Sequence, residues 1–222
     1  MLPQLSAIEA RVIGSLIEKE LATPEYYPLT INALVNACNQ KSNREPVMNL
    51  TQRQVEDSLY ELKEKRLVWK MDLAGSRVSK YEHNLKSLFP FTEKELAIIA
   101  VLLLRGKQTS GELRIRTERM ALFSSTDEVE ETINALKNRE DGPFCEELPK
   151  RAGQKENRFV ELFSEASKPD ESAIELAAEK PEETQQLSLS ERIAKLEDEV
   201  DFLKSELNDL KVLFSDFRKQ FE

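Results

Sequence analysis

Apolar residues recur at intervals of three and four along the first part of the chain, a spacing that predicts amphipathic helices. The first stripe comprises Leu5, Ile8, Val12, Leu16 and Leu21, the second Ile31, Leu34, Val35 and Cys38, and the third Val55, Leu59 and Leu62. Residues 68–73 then alternate between apolar and polar side chains, which predicts a strand. Residues 74–77 are predicted to form a turn, in which Gly75 suits positive φ, and residues 78–85 the returning strand. The pattern predicts three helices followed by a β-hairpin.

The same order of elements recurs after residue 90. Its apolar stripes are formed by Leu96, Ile99 and Leu103, then Leu113 and Met120, then Val129, Ile133 and Leu136. Strands are predicted at residues 144–148 and 157–163. The third stripes of the two copies are separated by a constant offset of 74 residues, and residues 29–34 take the place of residues 108–113. Three helices and a hairpin, repeated once, predict two winged-helix domains in tandem.

Six helix starts carry the capping-box pattern, in which a Ser or Thr side chain bonds the backbone three residues ahead and a Glu or Gln reaches back. The six pairs are Ser6 with Glu9, Thr51 with Gln54, Thr92 with Glu95, Thr109 with Glu112, Ser125 with Glu128, and Ser188 with Glu191. Each pair stands at the head of an apolar stripe, so the six together predict where helices begin.

The last part of the chain has a different pattern. Residues 164–187 are rich in Glu, Ala, Ser, Lys and Pro and lack aromatic residues, which predicts a flexible acidic linker. Residues 188–222 are predicted to form a helix with a heptad repeat, typical of a parallel coiled-coil dimer. The predicted dimerisation residues are Leu189, Ile193, Leu196, Val200, Leu203, Leu207, Leu210, Phe214, Phe217 and Phe221. The alternative is that this helix packs on its own domains or on a different protein.

Charge is unevenly distributed along the 222 residues, which have a net charge of −9. Residues 1–86 carry +1, residues 91–163 carry −2 and residues 164–222 carry −8, so the tail holds most of the acidity. The N-terminus lacks a basic signal region, and no stretch approaches the roughly 18 apolar residues of a membrane span. The two cysteines form no CxxC motif. We therefore expect a cytoplasmic protein with neither a disulfide framework nor a membrane anchor.

Several strings in this chain resemble the YceH-like family of bacterial conserved proteins of unknown function. They are LSAIEARV at 5–12, ACNQKSNREPVM at 37–48, SKYEH at 79–83, LLRG at 103–106, GELR at 111–114 and RM at 119–120. The resemblance covers residues 1–163 and implies a tandem winged-helix fold, without an established activity or site. The predicted fold class is mostly α, of the α+β winged-helix kind. The predicted boundaries are 1–88 and 89–163 for the two domains, 164–187 for the linker and 188–222 for the coiled coil.

Catalytic motifs are missing from the sequence. Its six glycines form neither a G-x-G-x-x-G nor a P-loop, and no G-x-S-x-G motif occurs. The single histidine, His83, has no neighbouring cysteine or metal-ligand spacing, which favours a structural or surface role. We expect no enzyme, no cofactor and no metal, and no small-molecule ligand is evident.

Candidate contacts to double-stranded DNA lie in both predicted domains. In the first they fall in the loop before the third helix, at the start of that helix and on the hairpin; in the second they fall on the second helix and around the hairpin. They are Lys41, Asn43, Arg44, Gln52, Arg53, Arg77, Lys80, Arg114, Arg116, Lys150, Arg151 and Lys155. Asn, Gln and Arg pair with base edges and basic residues with phosphates. The third helix of the second domain begins with four carboxylates within six residues, so it is not expected to read DNA.

Two functions are compatible with these patterns. The leading hypothesis is a dimeric, DNA-associated regulator in which the first domain grips DNA, the second adds phosphate contacts and the tail joins two copies. The rival is a protein-interaction scaffold that uses winged-helix surfaces without binding DNA, and the acidic third helices favour it.

Overall fold

The computed structural model describes residues 2–72, 78–150 and 156–164. Seven α-helices and one short 3-10 helix, Pro24–Tyr26, occur in this part of the chain. The α-helices are α1 Ala7–Ala22, α2 Ile31–Cys38, α3 Gln52–Glu64, α4 Leu85–Leu88, α5 Glu93–Arg105, α6 Ser110–Arg116 and α7 Thr126–Asn138. Five strands accompany them: β1 Leu29–Thr30, β2 Val68–Met71, β3 Lys80–His83, β4 Cys145–Leu148 and β5 Arg158–Glu161. About half of these residues are helical and both sheets are antiparallel, which confirms an α+β fold.

The first half of the described chain, up to residue 88, contains α1 to α3, a small sheet and the single-turn helix α4. The apolar stripes of α1 to α3 face one core, in which Leu16, Leu34 and Leu62 are completely buried. Strands β2 and β3 pair as a hairpin with Val68 opposite His83, at the place where a hairpin is predicted. Strand β1 adds to its other side in the order β1-β3-β2 and was not predicted, because two residues are too few to show an alternating pattern.

The second half repeats this order with a smaller sheet. Helices α3 and α7 are both 13 residues long, and both ends of α7 lie 74 residues beyond those of α3. Strands β4 and β5 form the second hairpin, with Cys145 opposite Glu161. Gln108 makes an isolated antiparallel bridge to Phe159, as Leu29 pairs with Tyr81 in the first half. The predicted order of three helices and a hairpin is therefore present twice.

Four of the six predicted capping boxes are confirmed as reciprocal bonds. They are the pairs at Ser6, Thr51, Thr92 and Thr109. At Ser125 only half of the box forms: the hydroxyl accepts a bond from Glu128 N, but the Glu128 carboxylate accepts bonds from Ser124 N and pairs with Lys94. Lys94, which lies on another helix, thus competes for the carboxylate that the local motif would use. The box at Ser188 lies outside the described residues.

The two halves are joined through α1 and α5, which pack along each other. Gly14 permits this approach, since a Cβ at that position would lie 2.9 Å from Leu104 Cγ and 3.1 Å from Leu103 Cβ. The two ends of the described chain also meet, because Leu5 N donates to Phe163 O at 2.7 Å. Residues of both halves share one hydrophobic core and one compact unit.

The predicted domain boundary at residues 88 and 89 falls directly after α4. The division into two winged-helix domains stays a prediction, and so do the linker and the coiled coil, which lie beyond residue 164 and outside the described part of the chain. Among the described residues, none of the helices has the length and apolar character needed to cross a membrane.

Candidate nucleic-acid interface

The start of α3 is the most exposed part of the predicted interface. Thr51 caps the helix, and Gln52 and Arg53 follow it on the surface, with no carboxylate in the first turn. The Arg53 side chain is 91% exposed, and its Nε lies 4.0 Å from Asp57 Oδ2. An exposed pair of this kind contributes at most about 1 kcal/mol, so Arg53 can leave it readily. Gln52 donates to Glu56 at 2.7 Å.

Further along α3 the surface becomes acidic. Glu56, Asp57, Glu61 and Glu64 are all exposed on this helix, against the two cations Arg53 and Lys63. Only the first turn of α3 therefore has a charge compatible with a phosphate backbone.

The loop between α2 and α3 is anchored to the rest of the protein at several points, although most of its side chains are exposed. The Asn39 side chain closes it by donating to Leu50 O at 2.8 Å and accepting from Leu50 N at 2.7 Å. Glu45 N donates to Leu104 O at 2.9 Å, and Arg11 Nη2 donates to Pro46 O at 2.6 Å. Much of the string 37–48 that carries the family resemblance therefore connects α1, α2 and α5 through these contacts.

Arg44 corrects one sequence-based prediction. Its side chain is fully buried, with Nη2 2.6 Å from Glu18 Oε2 and 2.8 Å from Ala37 O. Because these bonds and this burial occupy the guanidinium, Arg44 is not a DNA contact in this structure. Its neighbours differ: Lys41 is exposed, and Asn43 is exposed with its Oδ1 accepting from Arg105 Nη1 at 2.8 Å.

The first hairpin offers little free positive charge in the described part of the chain. Lys80 is half-buried on β3, and Lys70 on β2 lies 3.7 Å from Asp72. Arg77, the predicted contact at the hairpin tip, lies outside the described residues.

In the second half, the predicted contacts are scattered. Arg114 is exposed and donates to Ser124 O at 3.3 Å, whereas Arg116 is half-buried, 3.6 Å from Glu112. Lys150 is exposed beside a cleft of about 480 Å³ that also holds the carboxylates of Asp127 and Glu130. Arg151 and Lys155 lie outside the described residues, as do all ten predicted dimerisation residues.

His83 is buried and held by two partners. Its Nε2 lies 2.5 Å from Glu20 Oε2, and its Nδ1 accepts from Leu85 N at 3.3 Å, which defines the Nε2–H tautomer. Burial alone would raise the pKa of Glu20, but the hydrogen bonds from His83 and Lys86 outweigh it and leave that pKa lowered. The contacts of His83 tie β3 to α1.

The two cysteines are buried free thiols, and burial raises the pKa of Cys145 to about 12. Within the described residues, no group of three His, Cys, Asp or Glu side chains is arranged to hold a metal ion.

Two basic residues near the interface were not among the predicted contacts. Arg105 ends α5, and Lys19 lies in the last turns of α1. The structure places both beside Arg116, Asn43 and Arg119 around one cavity. No periodicity links residues so far apart in the chain, so only the LLRG string around Arg105 could have drawn attention to it.

These observations define an α+β protein in which three helices and a hairpin occur twice and share a core. A family model described as a protein of unknown function, DUF480, matches residues 5–154. A UPF0502 protein of Enterobacter sp. (strain 638) is 47% identical over 211 residues, which cover 93% of this chain and 96% of the relative. A UPF0502 protein of Vibrio parahaemolyticus is 48% identical over 212 residues, covering 94% and 95%.

A third relative, the UPF0502 protein YceH of Salmonella paratyphi A, is 44% identical over 211 residues, covering 93% of this chain and 96% of its own. The chain therefore belongs to the DUF480 family, and the predicted resemblance to YceH-like proteins is confirmed.

Proposed function

We propose that this chain is a non-enzymatic, DNA-associated protein with two winged-helix domains, in which the start of α3 contacts duplex DNA. The observation that carries the proposal is the first turn of α3, which contains no carboxylate and in which Gln52 and Arg53 are exposed and bound only by surface contacts to the next turn. In helix-turn-helix proteins the first residues of the recognition helix contact base edges, and these two side chain types suit adenine and guanine.

The second half contributes phosphate contacts in this proposal. Helix α7 has Asp127 and Glu128 in its first turn and is unsuited to a DNA groove. Arg114 on α6 and Lys150 after β4 are exposed cations on other elements. Contacts of this type release counterions condensed on the DNA, and this release becomes less favourable as the salt concentration rises. Affinity should therefore fall steeply with ionic strength.

Dimerisation through residues 188–222 is proposed from the heptad pattern of the sequence. Two copies joined in this way would present two α3 helices to paired half-sites. Light scattering on the full chain and on a Leu196→Asp, Leu203→Asp variant tests this part. A monomeric wild-type chain, or a variant that stays dimeric, contradicts it.

Fluorescence anisotropy of the full chain on a labelled random duplex tests DNA association. We expect binding at about 50 mM salt, and we expect Arg53→Ala to raise Kd by about tenfold and to lower the salt slope by about one. Lys63→Ala is the matched control, because Lys63 is an exposed cation in the last turn of the same helix.

Two results would refute DNA contact by α3. One is the absence of binding at about 50 mM salt, where even non-specific electrostatic binding is favoured. The other is an equal loss of affinity in Arg53→Ala and Lys63→Ala, which would reduce the effect to overall charge.

A protein-interaction scaffold is the second candidate, and exposed aromatic residues favour it. Tyr60 on α3 is 64% exposed and Trp69 on β2 is 47% exposed. A cleft of about 190 Å³ is lined by Tyr60, Leu59 and Tyr81. Aromatic residues beside a cleft are typical of protein interfaces. If the scaffold hypothesis is correct, a photo-crosslinking amino acid placed at position 60 should give a discrete protein adduct in cells. The same amino acid at position 114 should not give this adduct.

A further inference from the structure

A cavity of about 230 Å³ lies where the two halves of the described chain meet. Its walls come from the last turns of α1, the loop after α2, the end of α5, and α6 with the turn that follows it. Its volume is below the roughly 300–1,000 Å³ of pockets for drug-sized ligands, so any ligand it takes is small.

The cavity walls carry an excess of positive charge. Lys19, Arg105, Arg116 and Arg119 all line the cavity, whereas Glu18 is the one carboxylate among the described lining residues. Glu18 is already bonded to the buried Arg44 at 2.6 Å.

Donors in this cavity lack acceptors. Arg105 Nη1 donates to Asn43, but Arg105 Nε is buried and has no acceptor among the described residues. Arg119 is exposed, and no hydrogen bond or ion pair joins it to another described residue. Arg116 has only Glu112 at 3.6 Å, and that carboxylate also accepts from Arg158 and from Thr109 N. Among these donors Arg105 Nε is the buried one, and a buried donor without an acceptor is rare because it is costly.

Two of these arginines also repel each other. Burial lowers the pKa of the Arg105 guanidinium first, and the charge of Arg116 lowers it further. A bound anion would relieve this repulsion and supply the missing acceptors. Guanidinium groups bind phosphate oxygens in a bidentate geometry, which suits them to phosphate more than to a spherical anion.

One wall of the cavity is apolar. Val101 and Leu104 from α5 and Met120 after α6 contribute it, and Ser42 and Gln40 add polar lining from the loop after α2. An inorganic ion would leave this wall uncovered, whereas an organic group attached to the phosphate would cover it. A duplex backbone would bring sugars and further phosphates rather than an apolar group.

We propose that this cavity binds a small phosphate monoester, with its phosphate held by Arg105, Arg116 and Arg119 and its organic part against the apolar wall. The ligand contacts both halves of the protein, so its binding stabilises their packing. This site is separate from the start of α3 and does not depend on the proposed DNA contact.

Isothermal titration calorimetry on the full chain, at fixed ionic strength and with inorganic phosphate and phenyl phosphate as probes, tests the proposal. We expect saturable binding of one molecule per chain, with phenyl phosphate bound more tightly than phosphate. Arg119→Gln should weaken the binding of phenyl phosphate by about tenfold, because it removes one charge-assisted contact. Arg119 has no partner in the described structure, so this variant should keep the wild-type unfolding midpoint.

Arg53→Gln is the matched control, since it removes one exposed positive charge from α3 and should leave phenyl phosphate binding unchanged. The proposal is overturned if no saturable binding occurs up to about 10 mM, a concentration at which even a millimolar site would fill. It is also overturned if Arg53→Gln and Arg119→Gln weaken binding equally, or if phenyl phosphate binds no better than phosphate. Displacement of phenyl phosphate by a short DNA duplex, with an equal effect of Arg119→Gln on both, would assign the cavity to nucleic acid instead.

Discussion

At the scale of single residues, Arg44 and Arg53 show how differently two arginines of one segment are used. The side chain of Arg44 has no exposed surface, and that of Arg53 is 91% exposed. The difference arises because the Asn39–Leu50 bonds close the loop and turn Arg44 toward α1, while the cap at Thr51 places Arg53 on the outer side of a new helix.

The burial of Arg44 predicts a stability defect. Arg44→Gln should lower the free energy of unfolding by about 3–5 kcal/mol, because it removes the positive partner of the Glu18 carboxylate and leaves that charge uncompensated. Arg53→Gln should change it by no more than about 0.5 kcal/mol. Urea unfolding of both variants checks this, and equal stabilities would show that the pair between Arg44 and Glu18 contributes little.

At the scale of elements, helix starts follow local rules and helix packing follows tertiary ones. The reciprocal cap at Thr109 needs only residues 109–112, which lie in one turn. The approach of α1 to α5 needs Gly14 to face Leu104, and these positions are far apart in the sequence.

Two glycine substitutions separate these effects. Gly14→Ala should destabilise the protein, because overpacking costs about 1–3 kcal/mol and exceeds the helix-propensity gain of up to about 1 kcal/mol. Gly111→Ala is the matched control: its Cβ would meet only Thr109 Oγ1 at 3.9 Å, so it should stabilise by about 0.4–1 kcal/mol. Thermal unfolding by circular dichroism measures both, and a stabilised Gly14→Ala variant would show that α1 and α5 pack less closely.

At the scale of the whole molecule, the described residues form one unit rather than two independent halves. The phenylalanines that follow the first half pack against the second, with Phe91 and Phe144 ring centroids 4.7 Å apart. Phe163, near the end of the described chain, stacks on Phe144 and bonds Leu5 near its beginning. Loss of either half would therefore expose core surface of the other.

This shared core predicts cooperative unfolding. Trp69, the single tryptophan, reports on the first half, and Cys145 reports on the second once Cys38 is replaced by alanine. In Cys38→Ala, tryptophan fluorescence and thiol reactivity should change at the same urea concentration, as a two-state unit requires. Two separated midpoints would show that the halves unfold independently.

The sequence by itself determined the elements of this protein and their repetition. The spacing of Val55, Leu59 and Leu62 predicted a buried helix face, and the offset of 74 residues placed α7 correctly. Caps, amphipathic stripes and hairpins are encoded within a few residues, so periodicity and turn residues are enough to predict them. Short elements without a period, such as α4 and β1, were missed for the same reason.

The tertiary structure alone decided how those elements meet and which polar residues remain available. It buried Arg44 against Glu18, and it gathered Lys19, Arg105 and Arg119 around one cavity. Such contacts join residues that are distant in the chain, and packing and desolvation select them rather than any local pattern. A charged residue in the sequence therefore shows what chemistry is possible, whereas burial and the surrounding charges determine whether that chemistry is available.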